Sequence, residues 1–271
     1  MIKYLKIFLL IFTLNVLFTN VQAQNPYLVK NFATVNEFSS NPNNITNVNG
    51  ISYFFAKEEQ YYSALWKSDG TENGTSLVKD LFLSDNITAL KDLTNMDNTL
   101  FFMALLDGRW KLWKSDGTEN GTIQVKDIIL SYQYDSALVA MDGVLFFTAG
   151  DTTNGSELWK SDGTEIGTVL VKDILLGNQS SNPKNLINVN GVLFFTVDRG
   201  INGRELWKSD GTEIGTVMVK DDYFNTVGPR NLTNVNDVLY FIAKNKELWI
   251  QRSWLVKNPI HPKSRCGVLV N

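Results

Sequence analysis

A seven-residue segment that returns at a nearly constant interval constrains this 271-residue chain more than any other feature. Leu-Trp-Lys-Ser-Asp-Gly-Thr occurs at 65–71, 112–118, 158–164 and 206–212, so successive copies start 47, 46 and 48 residues apart. Self-similarity at such a period is typical of architectures in which each repeat is one supersecondary unit. The chain must therefore build its core by packing copies of one small unit against each other.

Other features keep the same register. The aromatic pairs that precede the four copies are Phe54-Phe55, Phe101-Phe102, Phe146-Phe147 and Phe194-Phe195, and Tyr240-Phe241 precedes the partial fifth copy. The Val-Lys pair that follows the first four copies is Val78-Lys79, Val125-Lys126, Val171-Lys172 and Val219-Lys220. The chain thus holds four full units, at about 43–81, 90–128, 137–174 and 185–221, and a fifth that begins at Asn231.

Each unit predicts four short antiparallel strands. In the third copy, an apolar run at 144–149 reads as a strand buried on both faces, and 157–160 alternates polar and apolar residues as a half-buried strand does. Turn sequences with Asp-Gly separate these runs. Four strands in a unit of this size make a β-propeller blade, and we predict an all-β propeller of five blades. A linear β-solenoid and a row of separate small domains are the alternatives.

The two ends of the repeat predict how the propeller closes. Leu28-Val29-Lys30-Asn31 matches the last strand of a unit, so we expect it to complete the fifth sheet and remove the open edge. After Trp249 the expected Asp-Gly hairpin is missing, and Leu255-Val256-Lys257-Asn258 offers a second copy of the last strand. The propeller domain is therefore predicted over 24–249. The tail at 250–271 is degenerate, from either a truncated gene or a diverged terminal blade.

The N-terminus predicts export. Lys3 and Lys6 form a basic start, an apolar stretch runs from Ile7 to Phe18, and Val21-Gln22-Ala23 offers small residues for a signal peptidase. We predict a signal peptide over 1–23, cut after Ala23. A membrane anchor is the alternative, but a span needs roughly 20 apolar residues. The mature chain is expected to be secreted or on the cell surface, with no membrane span.

Composition excludes several kinds of function. Cys266 and His261 are the single cysteine and histidine, so an intrachain disulfide, a Cys/His metal site and catalysis by a histidine base have no residues to support them. Without Lys3 and Lys6 the chain has 23 basic and 28 acidic residues, a net charge of −5. A mildly acidic chain without basic runs is not expected to bind nucleic acid.

The units resemble the bacterial proteins named for their ELWxxDGT repeat. Segments 157–164 and 205–212 fit that motif fully, whereas the first two copies differ at its first position, with Ala64 and Lys111. The fifth unit keeps only Glu247-Leu248-Trp249, so the resemblance covers about 28–249. It implies an exported, propeller-like protein that often carries surface or sorting modules. The family supplies no established activity to carry over.

The recurring hairpin is the first candidate site. Several oxygen ligands near a glycine could hold calcium in an exported protein. The calcium candidates are Asp69, Asp116, Asp162 and Asp210. The competing interpretation is turn geometry, in which Asp accepts backbone hydrogen bonds and Gly supplies positive φ. The glycines concerned are Gly70, Gly117, Gly163 and Gly211. No other cofactor is indicated.

The repeated tryptophans are the second candidate set. They are Trp66, Trp113, Trp159, Trp207 and Trp249, and they could stack on sugars. Their fixed place beside Leu on a half-buried strand favours packing between blades instead. Aromatic residues outside the repeat pattern are better ligand candidates, because propeller loops carry binding residues. They are Tyr61, Tyr62, Trp110, Tyr132 and Tyr134.

No catalytic motif stands out, and the acids that break the repeat single out no pair. We therefore predict a non-enzymatic binding or adhesion module that presents its loops to an extracellular glycan or protein. A propeller enzyme acting on extracellular glycans and a calcium-stabilised structural surface protein are the alternatives, and a non-functional fragment is a third. A fold of this kind does not determine function by itself.

Overall fold

The computed structural model describes residues 26–30, 40–57, 63–82, 87–127, 137–151, 153–198, 203–220, 228–243 and 247–252. Their strands form five antiparallel sheets that follow the chain order, four with four strands and one with three. Each sheet is built from one repeat, and we number them blades 1 to 5. The prediction of an all-β propeller built from five such blades is confirmed.

The strands of each blade are consecutive in sequence, from an inner first strand to an outer fourth strand. Blade 1 contains β1 (Asn43–Val48), β2 (Ile51–Lys57), β3 (Ser63–Ser68) and β4 (Ser76–Lys79). Blade 2 contains β5 (Ile87–Met96), β6 (Thr99–Leu106), β7 (Arg109–Ser115) and β8 (Ile123–Lys126). Blade 3 contains β9 (Val139–Met141), β10 (Val144–Asp151), β11 (Gly155–Ser161) and β12 (Val169–Lys172). Blade 4 contains β13 (Lys184–Val189), β14 (Val192–Asp198), β15 (Arg204–Ser209) and β16 (Val217–Lys220). Blade 5 contains β17 (Arg230–Val235), β18 (Val238–Ala243) and β19 (Glu247–Arg252).

Strand pairing corrects the alignment of the first aromatic pair. In blade 2 the residue opposite Trp113 is Phe102, and in blade 1 the residue opposite Trp66 is Phe54. The equivalent of Phe101-Phe102 is therefore Tyr53-Phe54, one residue earlier than the predicted pair. Side chains alternate between the faces of a strand, so a slip of one residue exchanges the two faces. The pairs in blades 3, 4 and 5 are aligned as predicted.

The core consists of layers between successive blades. We call the side of a blade that is turned toward the blade before it in sequence its preceding face, and the other side its following face. Between blades 1 and 2, Tyr53 and Leu65 from the following face of blade 1 share a cluster with Phe102 and Trp113 from the preceding face of blade 2. The rings of Phe102 and Trp113 stack with centroids 6.2 Å apart. Equivalent clusters join blades 2 and 3, 3 and 4, and 4 and 5.

The N-terminal segment does not complete the fifth sheet in the described part of the chain. Residues 26–30 form no strand, and blade 5 contains only β17, β18 and β19 there. The hydrogen bonds of the segment run to blade 1, since Tyr27 Oη donates to the Gly70 carbonyl and Lys30 Nζ to the Thr75 carbonyl. The segment thus lies against the preceding face of blade 1, where the outer strand of an earlier blade would stand.

The C-terminal boundary also differs from the prediction. β19 continues to Arg252, because Ile250 and Arg252 keep pairing with Tyr240 and Val238 beyond the predicted limit at 249. The predicted signal peptide over 1–23 and the second copy of the last strand at 255–258 lie outside the described residues. Within the described ranges, no helix is long and apolar enough to cross a membrane.

Candidate functional site

The Asp-Gly hairpin between the third and fourth strands is organised by its aspartate. In blade 3, Asp162 Oδ1 accepts hydrogen bonds from the Thr164 backbone N–H at 2.8 Å and from Thr164 Oγ1 at 2.7 Å. Thr164 Oγ1 in turn accepts a bond from Gly167 N at 2.9 Å. The same three bonds occur in the hairpins of Asp69, Asp116 and Asp210.

These bonds are relevant to both interpretations of the aspartates, calcium binding and turn geometry. The bonds from Thr164 hold the pKa of Asp162 below its usual range, because they stabilise the charged carboxylate. A Cβ added to Gly167 would stand 2.0 Å from Asp162 Oδ1, so the close approach of the carboxylate requires a glycine there. The described residues contain no group of three or more acidic, His or Cys side chains suited to a metal ion. Calcium binding therefore remains a prediction for experiment.

A buried hydroxyl pair closes the base of each hairpin. Ser161 Oγ and Thr168 Oγ1 lie 2.7 Å apart, and both residues are fully buried. Ser161 Oγ also accepts from Gly163 N, whose φ of +88° is a conformation that favours glycine. The same pair is found in blades 1, 2 and 4. The motif serine and the threonine seven residues after it therefore satisfy each other inside the protein and are not exposed for chemistry.

Each hairpin is also fastened to the blade before it. Lys114 Nζ donates to the Gly163 carbonyl at 2.9 Å, and Lys126 Nζ donates to the Thr168 carbonyl at 2.7 Å. The ring of Phe101 approaches the position that a Cβ on Gly163 would occupy to 2.9 Å. The Lys residues of the repeat thus join blades, a role that spacing alone did not indicate because the partner is one repeat away in sequence.

The repeated tryptophans pack between blades in blades 2 to 5, whereas Trp66 packs within blade 1 beneath Lys30. Trp66, Trp113, Trp159 and Trp207 are buried, and Trp249 packs against the cluster between blades 4 and 5. Lys79 Nζ lies 5.7 Å from the ring centre of Trp113, within the range of a cation–π contact. The structure places the rings of Trp66, Trp113, Trp159 and Trp207 out of reach of a sugar in solution.

Glu157 is a buried acid that sequence reasoning did not single out. It is the first residue of the repeat motif in blade 3, and it accepts hydrogen bonds from Ser181 N at 2.9 Å, from Ser181 Oγ and from Ile174 N at 3.1 Å. Burial raises its pKa from 4.5 to about 7, while these bonds act in the opposite direction. The carboxylate thereby anchors the connection between blades 3 and 4.

A small pocket opens between blades 1 and 2. Its walls include the Tyr53 ring, the Asp116 carboxylate, Asn98 and Ser115. Burial, with a smaller effect of the negative charge on Asp116, raises the pKa of Tyr53. The residues in the place of Tyr53 in blades 2, 3 and 4 are Phe101, Phe146 and Phe194. A hydroxyl beside a carboxylate can hold a small polar molecule.

The five aromatic ligand candidates outside the repeat pattern fall into two groups. Trp110 lies in β7, half-buried, with Lys91 Nζ 4.6 Å from its ring centre, so its face is occupied by that ammonium group. The other four, Tyr61, Tyr62, Tyr132 and Tyr134, lie outside the described residues.

Two exposed isoleucines mark the tips of neighbouring hairpins, and no sequence motif drew attention to them. Ile166 in blade 3 is 92% exposed and Ile214 in blade 4 is 91% exposed. They occupy the same hairpin position, where blades 1 and 2 carry Asn73 and Asn120. Exposed apolar side chains at equivalent points of adjacent repeats are a candidate contact surface.

Comparisons with known proteins add no family. No protein-family model matches the chain, and no curated protein matches it. Among solved structures, the chain is similar to TolB from Acinetobacter baumannii, at 10% identity and a TM-score of 0.44 over 75% of this chain and 49% of that one. It is also similar to a nidogen/laminin complex, at 13% identity and a TM-score of 0.40 over 72% of this chain and 70% of that one. A puromycin-hydrolysing peptidase from Mycobacterium tuberculosis shows 12% identity and a TM-score of 0.45 over 76% of this chain and 34% of that one. The chain spans about half the length of the TolB chain.

Proposed function

We propose that this chain is an exported, non-enzymatic propeller that binds a protein partner through the hairpins of blades 3 and 4. The observation that carries this proposal is the exposure of Ile166 and Ile214, each above nine-tenths, at one repeat position. Burying a side chain of this size contributes about 1.5–3 kcal/mol. Two of them on adjacent blades therefore supply the apolar centre of a small interface.

Hydrogen bonds hold the backbone beside these side chains in place before any partner arrives. Lys126 Nζ donates to the Glu165 carbonyl and Lys172 Nζ to the Glu213 carbonyl, each at 3.3 Å, and each glutamate directly precedes one of the isoleucines. A surface that is already ordered loses less conformational entropy on binding. The acidic residues around the tips favour a partner whose apolar contact is bordered by basic groups.

A protein fits this surface better than a glycan does. Sugars are bound by stacking on aromatic rings, and four of the five repeated tryptophans, Trp66, Trp113, Trp159 and Trp207, are buried. An isoleucine offers no aromatic face. Export by the predicted signal peptide and the resemblance to ELWxxDGT-repeat proteins belong to the same proposal, and they agree with a role in contact with other proteins outside the cell.

Site-specific photo-cross-linking tests the proposal. A photoreactive amino acid is placed at position 166 or 214, and at 73 or 120 as matched controls, and the protein is irradiated with the extracellular fraction of the producing cells. We expect one protein adduct from 166 and 214 that is absent from 73 and 120. The same yield at all four positions would overturn the assignment, and an adduct that glycosidases remove would indicate a glycan.

Affinity then gives the second measurement. With the cross-linked partner purified, the double variant Ile166→Asp, Ile214→Asp should bind at least about tenfold more weakly than the original protein, because two buried apolar contacts are lost. The variant Asn73→Asp, Asn120→Asp makes a comparable charge change on blades 1 and 2 and should bind as the original does. Equal weakening by both pairs would show a purely electrostatic contact.

A further inference from the structure

The first blade exposes a position that is buried in blades 2, 3 and 4. Ile45 on the preceding face of β1 is 69% exposed. Its equivalents lie in the cores between blades, with exposures of 8%, 6% and 7% for Leu93, Leu138 and Leu186. Ile45 is an aliphatic side chain like its equivalents, so its larger exposed fraction results from what packs over each position.

The last blade shows the complementary situation on its following face. Val235 is 47% exposed and Leu248 is 70% exposed. The residues at the position of Val235 in blades 1 to 4 are at most 7% exposed, and those at the position of Leu248 at most 1%. They are Val48, Met96, Met141 and Val189, and Leu65, Leu112, Leu158 and Leu206. Blade 5 therefore presents the side that every earlier blade buries against its successor.

Polar groups at the inner strands make the junctions directional. Between blades 1 and 2, Thr46 Oγ1 donates to the Leu93 carbonyl at 2.7 Å, and Asn95 Nδ2 donates to the Asn47 carbonyl at 3.2 Å. The threonine bond recurs between blades 2 and 3, and the asparagine bond recurs between blades 3 and 4 and between blades 4 and 5. Each junction thus joins a following face to a preceding face through its own donors and acceptors.

The first and last blades carry the two complementary faces of one further junction. The preceding face of blade 1 presents the exposed Asn47 amide beside the backbone of Ile45. Blade 5 has Thr233 and Asn234 at the positions of Thr46 and Asn47. Its following face presents the Asn234 carbonyl and the Thr233 hydroxyl, which donates to the Asn231 carbonyl at 3.1 Å as Thr94 donates to Asp92 besides its bond to the next blade. Thr233 can donate to the Ile45 carbonyl and Asn47 to the Asn234 carbonyl, as their equivalents do inside the chain.

We propose that the following face of blade 5 binds the preceding face of blade 1 in a second copy of this chain. Four junctions within the chain show that these two kinds of face fit each other. Ile45 on the one face and Val235 and Leu248 on the other remain exposed in one molecule, so the two faces do not cover each other there and both are open to a second molecule. The observed donor and acceptor pairs join a following face to a preceding face, so a head-to-tail contact is favoured over a symmetric one.

The outer part of the contact is supplied by the N-terminal segment. Phe54 and Trp66 on the preceding face of blade 1 are already buried, and Lys30 lies over the Trp66 ring in the way that Lys79 lies over Trp113. Blade 5 has three strands in the described part. In the proposed contact the inner edge of blade 5 would therefore meet β1 of the other copy, and residues 26–30 of that other copy would lie in the place of the fourth strand of blade 5.

Self-association of residues 24–271 tests the proposal, and this part of the chain retains every described strand. Sedimentation velocity should show dimers or larger species that increase with protein concentration. Ile45→Glu and Leu248→Glu, on opposite ends, should each raise the apparent dissociation constant at least about tenfold, since a buried carboxylate would replace an apolar contact. Leu176→Glu, at an exposed apolar residue away from both faces, should leave association unchanged.

Mixing the two end variants decides the geometry. Ile45→Glu keeps an intact blade 5 and Leu248→Glu keeps an intact blade 1, so an equimolar mixture should form a one-to-one complex that grows no further. Circular dichroism of each variant establishes folding, and the mixed complex confirms it independently. A wild type that stays monomeric, an Ile45→Glu variant that self-associates like the wild type, or a mixture that remains monomeric would each overturn the proposal.

Discussion

Lys30 Nζ donates to the carbonyl oxygen of Thr75 at 2.9 Å, reproducing one repeat earlier the contact that links later blades. Lys79, Lys126 and Lys172 make the same bond to Thr122, Thr168 and Thr216. The N-terminal segment therefore substitutes for the outer strand of a missing blade. Terminal repeats of such arrays need a distinct cover, and this segment supplies part of it.

Removing an inter-blade lysine should destabilise the protein only where a hairpin accepts its bond. Lys160 Nζ donates to the Gly211 carbonyl at 2.9 Å, so Lys160→Ala should lower the free energy of unfolding by about 1–2 kcal/mol. Lys208 holds the same position in blade 4, but the following blade lacks the Asp-Gly hairpin, and Lys208 is exposed. Lys208→Ala should change stability by less than about 0.5 kcal/mol. Urea denaturation compares the two, and equal losses would contradict the assigned role.

Gly163→Ala should destabilise the protein more than Gly177→Ala does. The two glycines have similar φ, but only Gly163 has a side chain close to the added Cβ. Gly163 has φ +88° and faces the Phe101 ring, whereas Gly177 has φ +80° with nothing within 4 Å of an added Cβ. The left-handed backbone costs each alanine about 1–2 kcal/mol, and the contact with Phe101 adds to this at position 163. Thermal unfolding measures the difference. Adding Phe101→Leu to Gly163→Ala should cost less than the separate changes together, and simple additivity would exclude the contact.

The hairpin aspartates should act as backbone acceptors. Asp162→Ala removes two bonds from Thr164 and should cost about 1 kcal/mol or more, while Asp162→Asn retains an acceptor and should cost less. Melting temperatures measured with calcium and with a chelator should then coincide for the original protein. A marked rise with calcium that Asp162→Asn abolishes would instead favour the calcium prediction.

Glu157 should make stability depend on pH in the direction opposite to an exposed ion-paired acid. Its pKa in the folded protein is raised from 4.5 to about 7, so between these values the folded state binds more protons than the unfolded state. Stability from this group is therefore greatest below pH 4.5 and falls as the pH rises toward 7, by roughly 3 kcal/mol in total.

Chemical denaturation across that range measures the slope. Glu157→Gln should flatten it, because the amide does not titrate, whereas Glu165→Gln at an exposed hairpin position should retain it. A slope that is the same in Glu157→Gln and in the original chain would show that other groups govern the pH dependence.

The repeat carried most of the fold prediction. Alternation and turn residues act locally, so the five blades could be read from windows such as 144–149 and 157–160. The alignment of Phe54 could not, because Tyr53, Phe54 and Phe55 are all apolar or aromatic and only pairing with Trp66 distinguishes their faces. Glu157 was missed because its partner Ser181 lies 24 residues away in a connection that breaks the repeat.

The sequence by itself determined the period, the strand order within each blade and the glycines of the turns, since hairpins are made by residues close together in the chain. Tertiary structure decided what each repeated residue does: Lys126 reaches Thr168 across a junction, and Ile166 stays in solvent while Leu158 of the same blade is buried. It also decided that the segment at 26–30 lies on blade 1. Packing energy depends on which faces of the blades meet. Because the local sequence pattern is the same in every repeat, it does not specify what packs against the first and the last blade.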